Sequence, residues 1–413
     1  MMRSLRVLRR VCSFQSISPC VSRLLLFVGL ITFFGIQPSS AQQTTQSVGD
    51  ALSQLLLNQS GPYPIVDKDR QAAEATRDTL AQLLLVELNT LPTNTSSAGF
   101  VYRFNEELGT LERASAHFGP FFTERALRAG RHQLSMGATF RYADFTSLQG
   151  SSLTDGTFPA NAARIAGAET PYGVDTVSIS LNTKTITGFG TYGLTDRWDI
   201  GAAVPIVSLH FTGTRDYQWR GTTTPQSFVL QDATGLGDVT FTTRYALANG
   251  VERGFAVGTD LRVPSGSQEN LLGAGRTAAK FLAIGSMERS RLATHLNLGY
   301  TVGGASREFT FDGAVTVAAA ARLTLVGEYL GRRVSDLHTL QAVYEPNPAA
   351  PRVETMRWLP EGDHLTQSLL VTGAKWNLGS SYLLNANLLI RLTDVGLTAR
   401  IVPSISIDYT FQR

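Results

Sequence analysis

The chain has 413 residues, of which 43% are hydrophobic and 17% are charged, and its formal net charge at pH 7 is +3. This composition fits a globular protein and equally a membrane β-barrel, in which apolar and polar residues alternate along each strand. The two cysteines, Cys12 and Cys20, lie near the N-terminus. The rest of the chain therefore has no disulfide, no thiolate metal site and no thiol nucleophile.

The first part of the chain has the pattern of an export signal. Five arginines precede an apolar run from Leu24 to Ile36, which is shorter than the roughly 20 residues that a helix needs to span a bilayer. Small residues follow at positions 39–41. We expect a secretory signal peptide over residues 1–41, cut before Gln42; an uncleaved membrane anchor is the alternative. Cleavage removes five of the 36 basic residues and none of the 33 acidic ones, so the charge gives no reason to expect a nucleic-acid partner.

Residues 42–130 predict a helical segment and a connector. Apolar residues recur at helical spacing at Val48, Leu52, Leu55 and Leu56, and again between Lys68 and Leu88. Neither run is long enough to cross a membrane. Pro92 ends this part, and residues 98–130 have no clear periodicity.

After Gly130 the hydrophobic period changes to two and stays so to the end of the chain. Leu134, Met136 and Ala138, for example, alternate with polar or small residues, as in a strand with one apolar and one polar face. About twelve such segments have the length of a strand that crosses a bilayer at a tilt. Their predicted bounds are 133–145, 176–192, 198–211, 236–248, 254–264, 277–287, 291–302, 309–320, 322–332, 364–378, 381–393 and 399–411.

The connections between these segments alternate between tight and long. Those near 194–197, 248–253 and 287–290 are tight, whereas 146–175 and 333–363 are long, although two on the long side, near 303–308 and 394–398, are short. Short periplasmic turns and long extracellular loops are typical of outer-membrane barrels. We therefore predict an all-β fold: a closed antiparallel up-and-down transmembrane β-barrel over residues 131–413 in the outer membrane of a Gram-negative bacterium, in contact with membrane lipid.

A secreted β-sandwich is the alternative architecture, but its strands are usually shorter than these. The last segment also favours the barrel. It has alternating apolar residues from Ile401 and an aromatic residue, Phe411, near its end. It resembles the C-terminal signal that the outer-membrane insertion machinery reads, although Gln412 and Arg413 follow the phenylalanine. We expect that machinery to be a partner.

Four stretches resemble a family of bacterial outer-membrane proteins labelled "MetA-pathway of phenol degradation", or putative transporters, which is distantly similar to long-chain fatty-acid transporters. Together they cover roughly residues 98–302. They are Gly119–Arg125, Tyr192–Gly201 with Val204-Pro205, Gly235–Asp238 with Arg244-Tyr245, and Leu261–Gly266 with Leu272–Gly275. The resemblance implies a barrel that passes small hydrophobic or aromatic compounds, and it identifies no particular substrate.

The alternate positions on the polar face of each predicted strand, its polar parity, include many charged residues. Charged side chains on the lipid face cost a few kcal/mol near the bilayer midplane, so we expect these residues to line the lumen. They form either a selective constriction or a core of ion pairs that fills a narrow barrel. The candidates are Arg141, Lys184, Arg244, Asp260, Arg262, Lys280, His295, Asp312, Glu328, Lys375, Arg391 and Asp408.

Catalytic and cofactor motifs are weak. His295 is the one histidine that falls clearly inside a predicted strand on the polar parity, and no serine follows it at a lipase-like spacing. No histidine and carboxylate cluster has metal-ligand spacing, and no glycine loop joins a strand to a helix. We predict no catalytic residues, no metal and no cofactor.

The sequence thus favours an outer-membrane channel or transporter for small solutes over a structural or surface-binding barrel and over a lipid hydrolase. The helical segment, expected on the periplasmic side, has three alternatives. It plugs the barrel, forms a tethered helix pair or binds a partner, since isolated helices of this length need a surface on which to bury their apolar faces.

Overall fold

A computed structural model describes residues 46–57, 67–90, 102–105, 110–113, 115, 117–250, 252–379 and 381–411. The predicted signal peptide, residues 1–41, lies outside them. Among the described helices, none is long and apolar enough to cross a membrane.

Two helices and twenty-one strands make up the described chain. The helices are α1 (Val48–Leu57) and α2 (Asp67–Thr90). In chain order the strands are β1 (Tyr102–Asn105), β2 (Thr110–Arg113), β3 (Leu134–Phe145), β4 (Ser147–Leu148), β5 (Ser151–Ser152), β6 (Phe158–Ile165), β7 (Gly173–Gly193), β8 (Trp198–Trp219), β9 (Thr222–Leu236), β10 (Val239–Asn249), β11 (Arg253–Val263), β12 (Ala278–Arg289), β13 (Leu292–Gly303), β14 (Arg307–Ala320), β15 (Leu323–Ser335), β16 (Thr339–Asn347), β17 (Ala350–Glu361), β18 (His364–Gly379), β19 (Tyr382–Arg391), β20 (Leu397–Thr398) and β21 (Ile401–Phe411).

Twelve of these strands close into an antiparallel barrel. Their order around the wall is β3, β7, β8, β10, β11, β12, β13, β14, β15, β18, β19 and β21. The last strand pairs back to the first, for example Ser406 with Thr139. These are the twelve strands that the alternating pattern predicts, and the predicted fold is confirmed.

Apolar side chains face outward around the barrel. On β13, Leu296 is 61% and Leu298 45% exposed, whereas their neighbours on the opposite face of the strand, His295 and Asn297, are buried. A closed barrel with an apolar outer surface places its exposed side chains against lipid tails. The chain is accordingly a membrane-spanning barrel, as expected for a protein of the outer membrane of a Gram-negative bacterium.

Placing a cation on this surface should weaken the barrel. We expect Leu296→Arg, in the middle of β13, to destabilise the folded state by about 2–4 kcal/mol, the cost of an arginine near the bilayer midplane. Urea unfolding in phospholipid vesicles measures the change. Thr222→Arg, on an exposed residue at the start of β9, is the control and should stay within about 0.5 kcal/mol. Equal losses in the two variants would contradict the lipid-facing assignment.

The two ends of the barrel differ. At one end consecutive strands join by tight hairpins, as between Arg289 and Leu292 or Ala320 and Leu323. At the other end most of the connections are long, and several contain strands where the sequence pattern predicts loops. Strand β8 continues to Trp219 and pairs with β9, while β16 pairs with β17. These hairpins carry polar residues on both faces, as in Thr222–Gln226, so the period-two signal is absent from them.

The N-terminal helices lie at the long-loop end, so the prediction that they lie on the tight-turn side was wrong. Gly49 N–H donates to the carbonyl of Glu269 in a long loop, and Gln82 donates to the carbonyl of Asp336 in another. The apolar inner surface lies at this end, which gives the helices a place to bury their leucines.

Candidate functional site: the barrel lumen

Helix α1 packs in the mouth of the barrel against β8 and β9. Val48 and Leu52 line a small apolar cavity together with Ile179, Leu181 and Phe211. Farther along β8 toward its long-loop end, the buried Arg215 donates to the carbonyls of Leu55 (3.2 Å) and Leu56 (3.1 Å), in the last turn of the helix. A cation at a helix C-terminus satisfies carbonyls that have no partner within the helix.

Helix α2 is held in the same mouth by a buried carboxylate. Glu87 pairs with Arg332 of β15 and with Arg391 of β19, each at 2.6 Å, and accepts a hydrogen bond from Gln367 of β18 at 2.9 Å. Burial alone would raise the pKa of the Glu87 carboxyl, but the two arginines outweigh it and hold the pKa below its ordinary value of 4.5. Glu87 is therefore ionised and ties three wall strands to one helix.

The connector, residues 117–130, enters the lumen from the tight-turn end. Its backbone N–H groups at Phe121, Phe122 and Thr123 all donate to the carboxylate of Glu328 on β15, the last at 2.8 Å. The Lys375 ammonium on β18 donates to the carbonyl of Pro120 at 2.6 Å. Two predicted lumen residues thus hold a segment that has no regular secondary structure.

Ion pairs fix the rest of the connector to the wall. Glu124 pairs with Arg244 at 2.9 Å, and Arg125 pairs with Glu288 at 3.0 Å. Arg128 lies 3.7 Å from Asp199. Breaking a buried pair leaves an uncompensated charge, so these contacts keep the connector inside.

A cavity of about 130 Å³ remains between the connector and the wall. Strands β10 to β15 and β18 form one side, and Phe122 and Glu124 of the connector lie on the other. The cavity reaches the short loop at Gly303–Ser306, at the long-loop end. Five of the predicted lumen residues lie together around it: Arg244, Asp260, Arg262, Lys280 and Asp312.

The other predicted residues have separate surroundings. Glu328 and Lys375 hold the connector, and Arg391 holds α2. Asp408 accepts a hydrogen bond from Asn385 at 2.8 Å, and the Arg141 guanidinium lies 5.7 Å from the centre of the Phe122 ring. His295 is buried on the inner face of β13.

Lys184 is the exception, and its predicted place inside the barrel was wrong. It is exposed on the outer face of β7. The prediction took the apolar parity of this strand as lipid-facing. In the half of β7 nearer the long-loop end, the residues of that parity, which include Ile179 and Leu181, instead line the apolar cavity beside α1.

A serine and a histidine meet across two strands, a contact that the sequence pattern does not predict. Ser286 of β12 is the register partner of His295 of β13, and its hydroxyl lies 2.9 Å from the Nδ1 atom of the histidine. The connector covers the pair, because the Ala126 N–H donates to the same hydroxyl at 2.8 Å. A nucleophile needs a free approach for its substrate, so this geometry favours a structural contact. Cross-strand register, which a sequence pattern does not give, brings the two residues together.

Within the described ranges, no group of three or more His, Cys, Asp or Glu side chains is arranged to hold a metal ion.

Comparisons with known proteins give structural neighbours alone. No family model matches the chain, and no curated protein matches it. An outer-membrane channel from Pseudomonas putida F1 is 11% identical and has a TM-score of 0.44, over 69% of this chain and 98% of the other. The NanC porin is 8% identical, with a TM-score of 0.34 over 68% of this chain and 100% of the other. The P. putida toluene transporter TodX is 8% identical, with a TM-score of 0.32 over 72% and 97% of the two chains. The resemblance to the phenol-degradation family stays a prediction.

Proposed function

We propose that the chain is an outer-membrane channel whose lumen passes small solutes and whose N-terminal segment closes it. The observation that supports this proposal is the charged cavity beside the connector. A barrel with a purely structural role gains nothing from leaving charged groups around an empty space, because buried charges without partners are costly.

We further propose that the lumen candidates other than Lys184 line the path. The cavity wall combines charged residues with the apolar side chains of Phe122, Leu282, Leu330 and Leu369. The resemblance to the phenol-degradation family suggests small hydrophobic or aromatic solutes, and the wall favours those that also carry a charged group. Insertion is proposed to depend on the insertion machinery through β21.

The path can be tested by filling the cavity. Thr310 on β14 lines the cavity, while Val315 on the same strand is 45% exposed on the outer face. We expect Thr310→Trp to reduce solute uptake several-fold in reconstituted liposomes, because the indole occupies the cavity. Val315→Trp is the matched control and should leave uptake unchanged. Flux equal to that of empty liposomes for the unmodified chain, across several solute classes, would favour a structural or surface-binding barrel.

A further inference from the structure

Four charged side chains around the cavity stand out because none of them forms a direct ion pair with a described residue. Arg244 pairs with Glu124 and Asp260, and Arg332 pairs with Glu87. The remaining charged residues at the cavity form no ion pair with any residue that the structure describes. They are Arg262, Lys280, Glu308 and Asp312.

The positively charged and the negatively charged residues lie on opposite sides of one strand. Arg262 and Lys280 belong to the neighbouring strands β11 and β12, whereas Glu308 and Asp312 belong to β14. Thr301 of β13 pairs with Lys280 on one side and with Glu308 on the other. Neighbouring strands lie about 4.8 Å apart, so the backbones of Lys280 and Glu308 are about 10 Å apart.

A glycine of β13 leaves room for the Lys280 side chain. Gly299 of β13 faces the lumen between the cations and the carboxylates. A Cβ atom built there would lie 2.7 Å from Cε of Lys280 and 2.4 Å from Oγ1 of Thr310. Any larger residue would displace the lysine, so the position of the Lys280 side chain over β13 depends on the missing side chain.

Opposite charges that face one cavity without touching complement a molecule that carries both charges. Such a ligand supplies each of these groups with an opposite charge at close range, and its uncharged part contacts Leu282 and Leu330. We propose that the cavity is a binding site for a small zwitterion of the amino-acid type. Its carboxylate binds Arg262 and Lys280, and its ammonium group binds Glu308 and Asp312. As a statement about the transported solute, this rests on the proposed channel function.

Equilibrium binding to the purified full-length chain in detergent tests the site. The probes are L-alanine, L-leucine and L-phenylalanine, which share the zwitterion and differ in size. We expect at least one to bind, and we expect its matched carboxylic acid and its matched amine to bind at least about tenfold more weakly, because each leaves one pair of charges unpaired. Lack of binding by all three up to about 10 mM, or an equally tight carboxylic acid, would overturn the proposal.

Variants separate recognition from damage to the fold. Lys280→Met and Glu308→Gln should each weaken the amino acid at least about tenfold. Glu308→Gln should also shift the preference toward the matched carboxylic acid, which a misfolded barrel would not do. Lys184→Met, on the outer face, is the control and should bind as the unmodified chain does. Liposome uptake is measured separately. Uptake of an amino acid without saturable binding would overturn the proposed binding site. Binding without uptake would contradict the channel function and would still support the binding site.

Discussion

Deletion of residues 46–90 is expected to raise the single-channel conductance several-fold. These residues include both helices, which fill the mouth of the barrel through Leu52, Leu55, Leu83 and Leu84. Without them, the lumen at the long-loop end is narrowed only by side chains of the wall. Planar-bilayer recordings of the full chain and of the deletion variant measure the difference.

Correct assembly of the deletion variant has to be shown first. The connector keeps its own contacts with Glu328 and Lys375, so the barrel should still show heat-modifiable migration on a gel. A variant that assembles normally and conducts like the full chain would rule out the helices as the closing element. Leu55→Asp, which places a charge in the fully buried contact of α1 with the wall, should raise conductance in the same direction with the chain length unchanged.

Replacement of Glu87 by alanine is expected to release helix α2. The change leaves Arg332 and Arg391 buried without a carboxylate, and breaking a buried pair in this way costs about 3–5 kcal/mol. Channel recordings should then show frequent openings that the full chain lacks. Asp78→Ala is the matched control, because Asp78 lies on the same helix, is 68% exposed and pairs with its neighbour Arg77. Identical traces for the two variants would show that the buried cluster does not hold the helix.

The same cluster gives a pH dependence. Because the pKa of folded Glu87 is below its ordinary value of 4.5, the ionised carboxylate stabilises the docked helix at every pH above that value. The stabilisation decreases as the pH falls through the lower, folded pKa. Openings should therefore increase in strongly acidic solution in the full chain, and Glu87→Ala should remove that part of the response.

The barrel could be predicted from sequence because its signal is local. Every strand between lipid and lumen alternates apolar and polar residues, and twelve such runs were enough to give the strand number and the order of hairpins. Strands β9, β16 and β17 lack the signal because they extend beyond the apolar layer. One face of these strands packs in the same core as the N-terminal helices, as at Val229 and Leu340, so the alternation between lipid and lumen is not imposed on them.

The site was less accessible from sequence because it depends on distant contacts. Parity alone placed Arg262 and Lys280 inside, yet it gave no hint that both reach one cavity with Asp312. Lys184 was misassigned because apolar residues of β7 face a helix as well as lipid. The connector, residues 117–130, has no period at all, since its shape follows from wall residues such as Glu328 and Arg244.

The hydrogen bonds from three successive connector N–H groups to Glu328 imply a mutual dependence. The connector has no fold of its own, because its backbone donors are satisfied by a side chain of the wall. In return, the wall carries a fully buried carboxylate that would be uncompensated without those donors. Each part gives the other the hydrogen bonds that water would otherwise provide. Departure of the connector therefore requires water to take its place at Glu328, which couples any widening of the lumen at this depth to its hydration.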